Sequence, residues 1–198
     1  VRKFDTNMNP VWTKTDGPTG TAEARAVAIS ASDGAVVVGG LDLVSQWDLH
    51  LRKYDSGGNF QWFRTFDGGS WDAGHGVAVD ASGNIVVVGE TYVTGEVENW
   101  FIRKYDSAGN VLWTRTYNGA SNGKDVANSV SLNASGDITV AGYETITGQA
   151  ANWLLRRYSS GGTLMDSSSR NGLSNGADIL HGVVGTSATG VVVAGEEF

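Results

Sequence analysis

Short runs of β-branched and aromatic residues, some alternating with polar ones and some continuous, are separated by clusters of Gly, Ser, Asn and Asp, and no segment carries a helical period. The pattern recurs. Aligned on an arginine, a basic residue and an aromatic, it appears at Arg2-Lys3-Phe4, Arg52-Lys53-Tyr54, Arg103-Lys104-Tyr105 and Arg156-Arg157-Tyr158, with the aromatics 50, 51 and 53 residues apart. A period of this length marks a repeat architecture in which one supersecondary unit is stacked on the next. Each unit predicts four short strands. In the third repeat these run from Val126 to Asn133, Ile138 to Tyr143, Trp153 to Tyr158, and from Leu164 onward. Ser135-Gly136-Asp137 and Ser160-Gly161-Gly162 supply the hairpin turns, and the second repeat places Ala81-Ser82-Gly83-Asn84 and Ser107-Ala108-Gly109-Asn110 at the same points. Glycine there permits the positive φ that tight hairpins require.

Four antiparallel strands per unit cannot bury both faces alone, so the units must stack. The fold class expected is all-β, a β-propeller of four four-stranded antiparallel blades in one domain over residues 1–198. Three blades fall at about 22–66, 73–117 and 126–168. The fourth is split: the chain opens on strands three and four (1–15) and closes on strands one and two (179–198). The expectation is a ring closed by pairing of residues 190–195 with Val1–Phe4, the alternative being half of an eight-bladed ring, which makes the protein a monomer or a homodimer. Small residues on the inner strands (Ala26, Ala28, Gly76, Ala78, Ser129, Ser131, Gly182) suit a narrow ring.

Composition narrows the function classes. Of 198 residues 40% are hydrophobic, enough for a sizeable core, and 28 glycines with only 2 prolines agree with many tight turns. A net charge of −7 without a basic stripe excludes a nucleic-acid partner, and the apolar runs are too short for membrane insertion. Cysteine is absent, which removes disulfides, thiolate metal sites and cysteine nucleophiles. Few lysines and many Gly, Ser, Thr and Asn residues lead us to expect a secreted or cell-surface protein.

The motif Asp55-x-x-Gly58-Asn59-x-x-Trp62, repeated at Asp106, Gly109, Asn110 and Trp113, resembles the bacterial β-propeller repeat (SBBP-type) family, as does the segment carrying Val77, Asp80, Ser82, Gly83, Asn84 and Gly89. The resemblance spans essentially the whole chain and implies a propeller fold without implying a specific activity. Two units depart from it: Ser159 and Asp166 replace the Asp and Trp of the fourth hairpin, and Asn7-Met8-Asn9-Pro10 replaces the Gly-Asn turn of the first. The turn also resembles the Asp box of sialidase-type propellers, but its Asp-to-Gly spacing is longer by one and the upstream serine is missing.

Candidate chemistry gathers at one end of the repeats. Arg25, His75, Asn128 and His181 align at the start of strand one, one per blade, beside the aligned acids Asp72, Asp125 and Asp178, with Ala22 and Glu23 in the first blade. On a ring they would line a channel mouth, either as a ligand-binding cluster or as polar lining with the acids capping loops. Loop aromatics Trp47, Trp71, Trp100 and Trp153 lie at the same end, Trp100 and Trp153 each following an asparagine (Asn99, Asn152), as sugar-stacking surfaces or as structure. Trp12, Trp62 and Trp113 share one place on strand four, which predicts buried contacts between blades. Only 3 histidines occur, and none lies in a recognisable catalytic triad, so no catalytic residues are assigned. No cofactor and no metal ligand set is assigned. The expected function is a non-enzymatic scaffold or interaction module whose partner is a protein or surface polysaccharide; the alternatives are a carbohydrate-binding propeller and, less favoured, a glycosidase or lyase.

Overall fold

The computed structural model describes residues 1–15, 22–34, 36–42, 47–185 and 190–198, and among them all regular structure is β-strand. Part of the stretch 179–198 expected to hold strands one and two, residues 186–189, lies outside the described residues. β1 (Arg2–Phe4) and β2 (Pro10–Thr13) form a two-stranded sheet. β3 (Ala22–Ile29), β4 (Val36–Asp42), β5 (Asp48–Tyr54) and β6 (Phe60–Phe66) form a four-stranded antiparallel meander. The same meander recurs in β7 (Asp72–Val79), β8 (Ile85–Val93), β9 (Val97–Tyr105) and β10 (Val111–Tyr117). It recurs again in β11 (Val126–Leu132), β12 (Ile138–Thr145), β13 (Ala151–Tyr158) and β14 (Leu164–Arg170). β15 (Ile179–Gly185) and β16 (Val191–Glu196) make a final two-stranded sheet.

The turns explain why each repeat folds alike. Asp55 and Asp106 accept backbone N–H bonds from the residues two and four positions on, at 2.8–2.9 Å, and a second carboxylate oxygen accepts from the side chain of Asn59 or Asn110 at 2.8 Å. Glycine at the intervening position takes φ of 83° at Gly58 and 81° at Gly109. The divergent first turn keeps this geometry: Asp5 accepts from the Asn7 and Asn9 amides, and Met8 adopts φ 64° in glycine's place. Ser159 offers one hydroxyl where the others offer a carboxylate, and among the described residues that hydroxyl accepts from the Thr163 amide at 3.1 Å.

The sheets stack through β3, β7, β11 and β15, each packed against the next. One apolar cluster lies between the first two full sheets (Val37, Leu49, Leu51, Ile85, Val87, Phe101, Tyr105) and a second between the next two (Val86, Val88, Trp100, Ile102, Ile138, Val140, Leu154). At the turn end, each sheet grips the hairpin of its successor. Trp12 and Lys3 donate to the Ser56 carbonyl, Trp62 and Lys53 to Ser107, and Trp113 and Lys104 to Ser160, at 2.9–3.3 Å. The three tryptophans therefore do occupy equivalent contacts between sheets, but half-buried rather than largely buried, because the indole lies over a surface hairpin. Asp166, at the same place on β14, is exposed.

The expected pairing of residues 190–195 with Val1–Phe4 is not formed: among the described residues β1 pairs with β2 and β16 pairs with β15. The end faces are correspondingly open. Val27 and Ile29 on β3 are 62% and 65% exposed, and Val184 and Val192 on the last hairpin 59% and 58%. A concavity of about 300 Å³ lies between β11–β14 and the β15–β16 hairpin, lined among others by Arg157, Asp166, Gly185 and Val191. It lies at the turn end of the sheets, away from the polar cluster described next.

Candidate functional site

Arg25, His75, Asn128 and His181 share a backbone device that repeat alignment alone did not reveal. Each is the extra residue of a β-bulge: the register between the first two strands of the sheet skips from Ala24 to Ala26, Gly74 to Gly76, Ala127 to Ser129 and Leu180 to Gly182. A bulge leaves its extra residue outside the ladder and re-aims its side chain. The signal in the sequence was the partner strand. Gly40, Gly89, Gly142 and Gly195 face the bulges, and a Cβ on any of them would lie 1.8–2.1 Å from the carbonyl oxygen of Glu23, Ala73, Val126 or Ile179. A short aliphatic run followed by glycine on the second strand is therefore the mark of the bulge.

The bulges do not gather all four side chains into one cluster. The Arg25 guanidinium lies 3.3 Å from His75 Nδ1, and His75 Nε2 lies 3.3 Å from Glu90 Oε1. The Lys124 ammonium reaches Glu90 at 3.0 Å and Glu98 at 3.4 Å. Burial alone would raise the Glu90 carboxyl, but the hydrogen bonds from His75 and Lys124 and the Lys124 charge outweigh it and hold the group below its ordinary value. One sheet further on, Asn128 Nδ2 donates to the Leu180 carbonyl at 2.8 Å and so ties two sheets together. His181 repeats the His–Glu pairing with Glu196 at 3.0 Å in a more exposed setting.

Asp72, Asp125 and Asp178 are fully buried and bind loops, which takes them away from any solvent-lined mouth. In each, one carboxylate oxygen accepts a short backbone bond of 2.5 Å, from Gly68, Gly119 or Gly172. Their own amides donate to Trp47, Glu98 and Ala151 of the preceding sheet at 2.6–2.7 Å. The other oxygen of Asp125 accepts from Thr145, and that of Asp178 from Phe198. Desolvation dominates at Asp125, where burial raises the carboxyl to about 6 against the loop amides that favour its charge. Asp72 is raised by burial as well, opposed by Thr91 and Gly68 and reinforced by the charge of Asp67.

The loop tryptophans divide. Trp100 is fully buried and donates to the Tyr143 carbonyl at 2.7 Å, which makes it a core residue and no platform. Trp153 is half-buried and donates to Glu196 at 2.8 Å. Trp47 and Trp71 are 37% and 36% exposed, their rings 5.7 Å apart and inclined at 41°, held by a parallel bridge between their backbones. The Lys124 ammonium lies 5.5 Å from the Trp71 ring. Arg25, His75, the buried Glu90, Lys124 and the two indoles thus form a chain of successive contacts in which Trp47, Trp71 and Lys124 reach the surface. Arg52 and Arg103 take no part in it. Their lysine neighbours Lys53 and Lys104 pair with Asp33 at 3.8 Å and Asp80 at 3.2 Å. No protein-family model matches the chain, and no curated protein matches it.

Proposed function

We propose that the stacked sheets are blades of a β-propeller of the bacterial repeat type, and that the protein is a non-enzymatic interaction module working outside the cell or on its surface. The observation that carries this reading is the exposed Trp47–Trp71 pair beside Lys124. Two indoles fixed by backbone contacts form a rigid amphipathic contact surface that loses little entropy on binding. Support for a non-enzymatic role comes from the acids. Asp72, Asp125 and Asp178 are buried under loop amides, and Glu90 is engaged by a histidine and a lysine. The partner is a protein or a surface polysaccharide. The second reading, carbohydrate binding, is favoured by the same pair, because indole faces stack on sugar rings while the half-exposed Lys124 offers a polar contact. A glycan array followed by titration of intrinsic fluorescence separates the two. Hits lost in the Trp47→Ala/Trp71→Ala variant support the sugar reading. No glycan hits, with retention of a protein ligand that the same variant loses, supports the scaffold reading. Ligand binding that survives loss of both indoles refutes both.

The ring itself is completed, on this reading, by joining β16 to β1, since the two terminal hairpins are complementary halves of one blade. The concavity beside β15–β16 is the place where the β1–β2 hairpin of a second copy would lie, and the apolar residues Val27, Ile29, Val184 and Val192 would be covered by the same join. Light scattering decides it: a mass of twice 20.8 kDa supports an eight-bladed pair, and a mass of 20.8 kDa returns the join to a single chain.

A further inference from the structure

At the junction of the first two full sheets, Asp48, Asp67 and Asp72 each offer a carboxylate oxygen, and these oxygens lie within 4.8 Å of one another. Carboxylates at that separation, one of them fully buried, disfavour the state in which all three are charged. Acids alone would not establish a site. The repeat supplies the independent observation. The residues at these three places in the next junction are Asn99, Asn118 and Asp125, and in the one after that Asn152, Asn171 and Asp178.

All three junctions are tied in the same way. Each first residue lies within the first three positions of the third strand of its sheet, directly after the carbonyl that accepts from the aspartate amide. Each second residue follows the fourth strand and directly precedes the glycine that donates to the aspartate carboxylate. The asparagines show what is missing. Asn99 Nδ2 donates to Glu96 at 2.7 Å, Asn118 Nδ2 to Asn122 at 2.7 Å, Asn152 Nδ2 to Gln149 at 2.5 Å and Asn171 Nδ2 to Asn175 at 2.8 Å. Glu96 can only accept, so the Asn99 amide orientation is fixed by chemistry. With the nitrogens held outward, the Oδ1 atoms of all four asparagines are buried and have no hydrogen-bond partner among the described residues. Asn99 and Asn152 are themselves 3% and 2% exposed. A buried amide oxygen left unpaired costs on the order of 1–3 kcal/mol, and four repeated instances of one arrangement call for a common partner.

We propose that each junction between sheets binds a hard divalent cation of the calcium class. The ligands are Asp48, Asp67 and Asp72 in the first, Asn99, Asn118 and Asp125 in the second, and Asn152, Asn171 and Asp178 in the third. The donor set is all oxygen, mixing carboxylate with neutral amide carbonyl, which is the preference of Ca²⁺ rather than of a softer transition metal. Water and loop carbonyls complete the shell. Ligand charge ranks the sites: three carboxylates make the first the tightest, and one carboxylate makes the others weaker. The cation would also fasten the aspartate-bound loops between sheets and, at the first junction, fix the neighbouring Trp47 and Trp71.

Those two indoles provide the test, because they adjoin Asp48 and Asp72 and can sensitise bound terbium. Protein stripped with a chelator is titrated with Tb³⁺ under tryptophan excitation, then with Ca²⁺ as competitor, and its thermal midpoint is measured with and without Ca²⁺. The expected result is saturable sensitised emission displaced by Ca²⁺, and a midpoint raised by Ca²⁺. Asp67 is exposed, so Asp67→Asn is expected to fold while weakening the tightest class at least tenfold. The reciprocal Asn118→Asp is expected to strengthen a weaker class. The proposal is overturned by emission that does not saturate, by saturable emission that Asp67→Asn leaves unchanged, or by a midpoint indifferent to Ca²⁺, the behaviour of oxygens satisfied by buried water. Ligand binding by the Trp47–Trp71 surface is a separate readout, so failure of one leaves the other standing.

Discussion

Replacement of Gly89 by alanine tests the bulges most directly. Gly89 faces Gly74 across the ladder of β7 and β8, one residue before the bulge at His75. A Cβ there would lie 1.8 Å from the Ala73 carbonyl oxygen and 2.9 Å from its carbon. Real Cβ contacts do not fall below 3.0 Å, so the two strands must part by about 1 Å or more. Little can yield, since Ala73 and Val88 are fully buried and Glu90 is 3% exposed. Overpacking of this kind costs about 1–3 kcal/mol, and two ladder hydrogen bonds weakened beside the bulge add about 0.5–1.5 kcal/mol each, for a total of about 2–6 kcal/mol. Set against a typical domain stability of roughly 5–15 kcal/mol, the loss is severe. Gly182→Ala is the control. It follows the equivalent bulge in β15, and a Cβ there meets nothing within 4 Å. That variant is expected within about 0.5 kcal/mol of the parent. Urea unfolding of the three proteins, followed by tryptophan fluorescence, measures both effects. A Gly89→Ala loss under about 1 kcal/mol, or one equal to that of Gly182→Ala, refutes the claim that this glycine is required by the bulge.

Trp113→Ala is expected to cost about 2–3 kcal/mol in the same assay, less than a fully buried tryptophan, because the indole is half-buried over the next hairpin and donates to Ser160. Burial raises Asp80, but hydrogen bonds from Asn84 and the hydrogen bond and charge of Lys104 outweigh it and leave the carboxyl below its ordinary value. Its contribution is therefore fully present above about pH 4 and lost as pH falls through the depressed folded value, and Asp80→Ala should remove that acid sensitivity together with about 1–3 kcal/mol of stability. Asp125 has the opposite sign. With the folded carboxyl raised to about 6 by burial, the folded state holds a proton that the unfolded state releases, so in chelator stability declines as pH rises from about 4 to about 6, by roughly 3 kcal/mol. Carbon-detected NMR titration of the Asp125 carboxyl checks it, and a midpoint near 4 would refute the burial argument.

Whatever depended on residues within a few positions of one another was legible in the sequence. The hairpin turns at Asp55, Asp80 and Asp106 are closed by bonds to residues two and four positions on, so local composition determines them, and with them the four-stranded unit and its phase. Even the divergent Asp5 turn obeyed this chemistry through Met8. Contacts between sheets join residues far apart in the chain, 25 positions at Asp72 and Trp47 and 56 at Lys104 and Ser160, and only the stacking decided those. Trp71 and Trp100 both looked like loop aromatics, yet the neighbouring sheet covers Trp100 and leaves Trp71 at the surface. Asp72, Asp125 and Asp178 were read beside the bulge residues, but loop amides turned them inward while the bulges turned Arg25 and His75 toward each other. Asn99 and Asn152 stood out only as companions of Trp100 and Trp153, and Asn118 and Asn171 did not stand out at all, because an unpaired oxygen has no signature along the chain. It exists only where the burial of three distant segments removes every other partner.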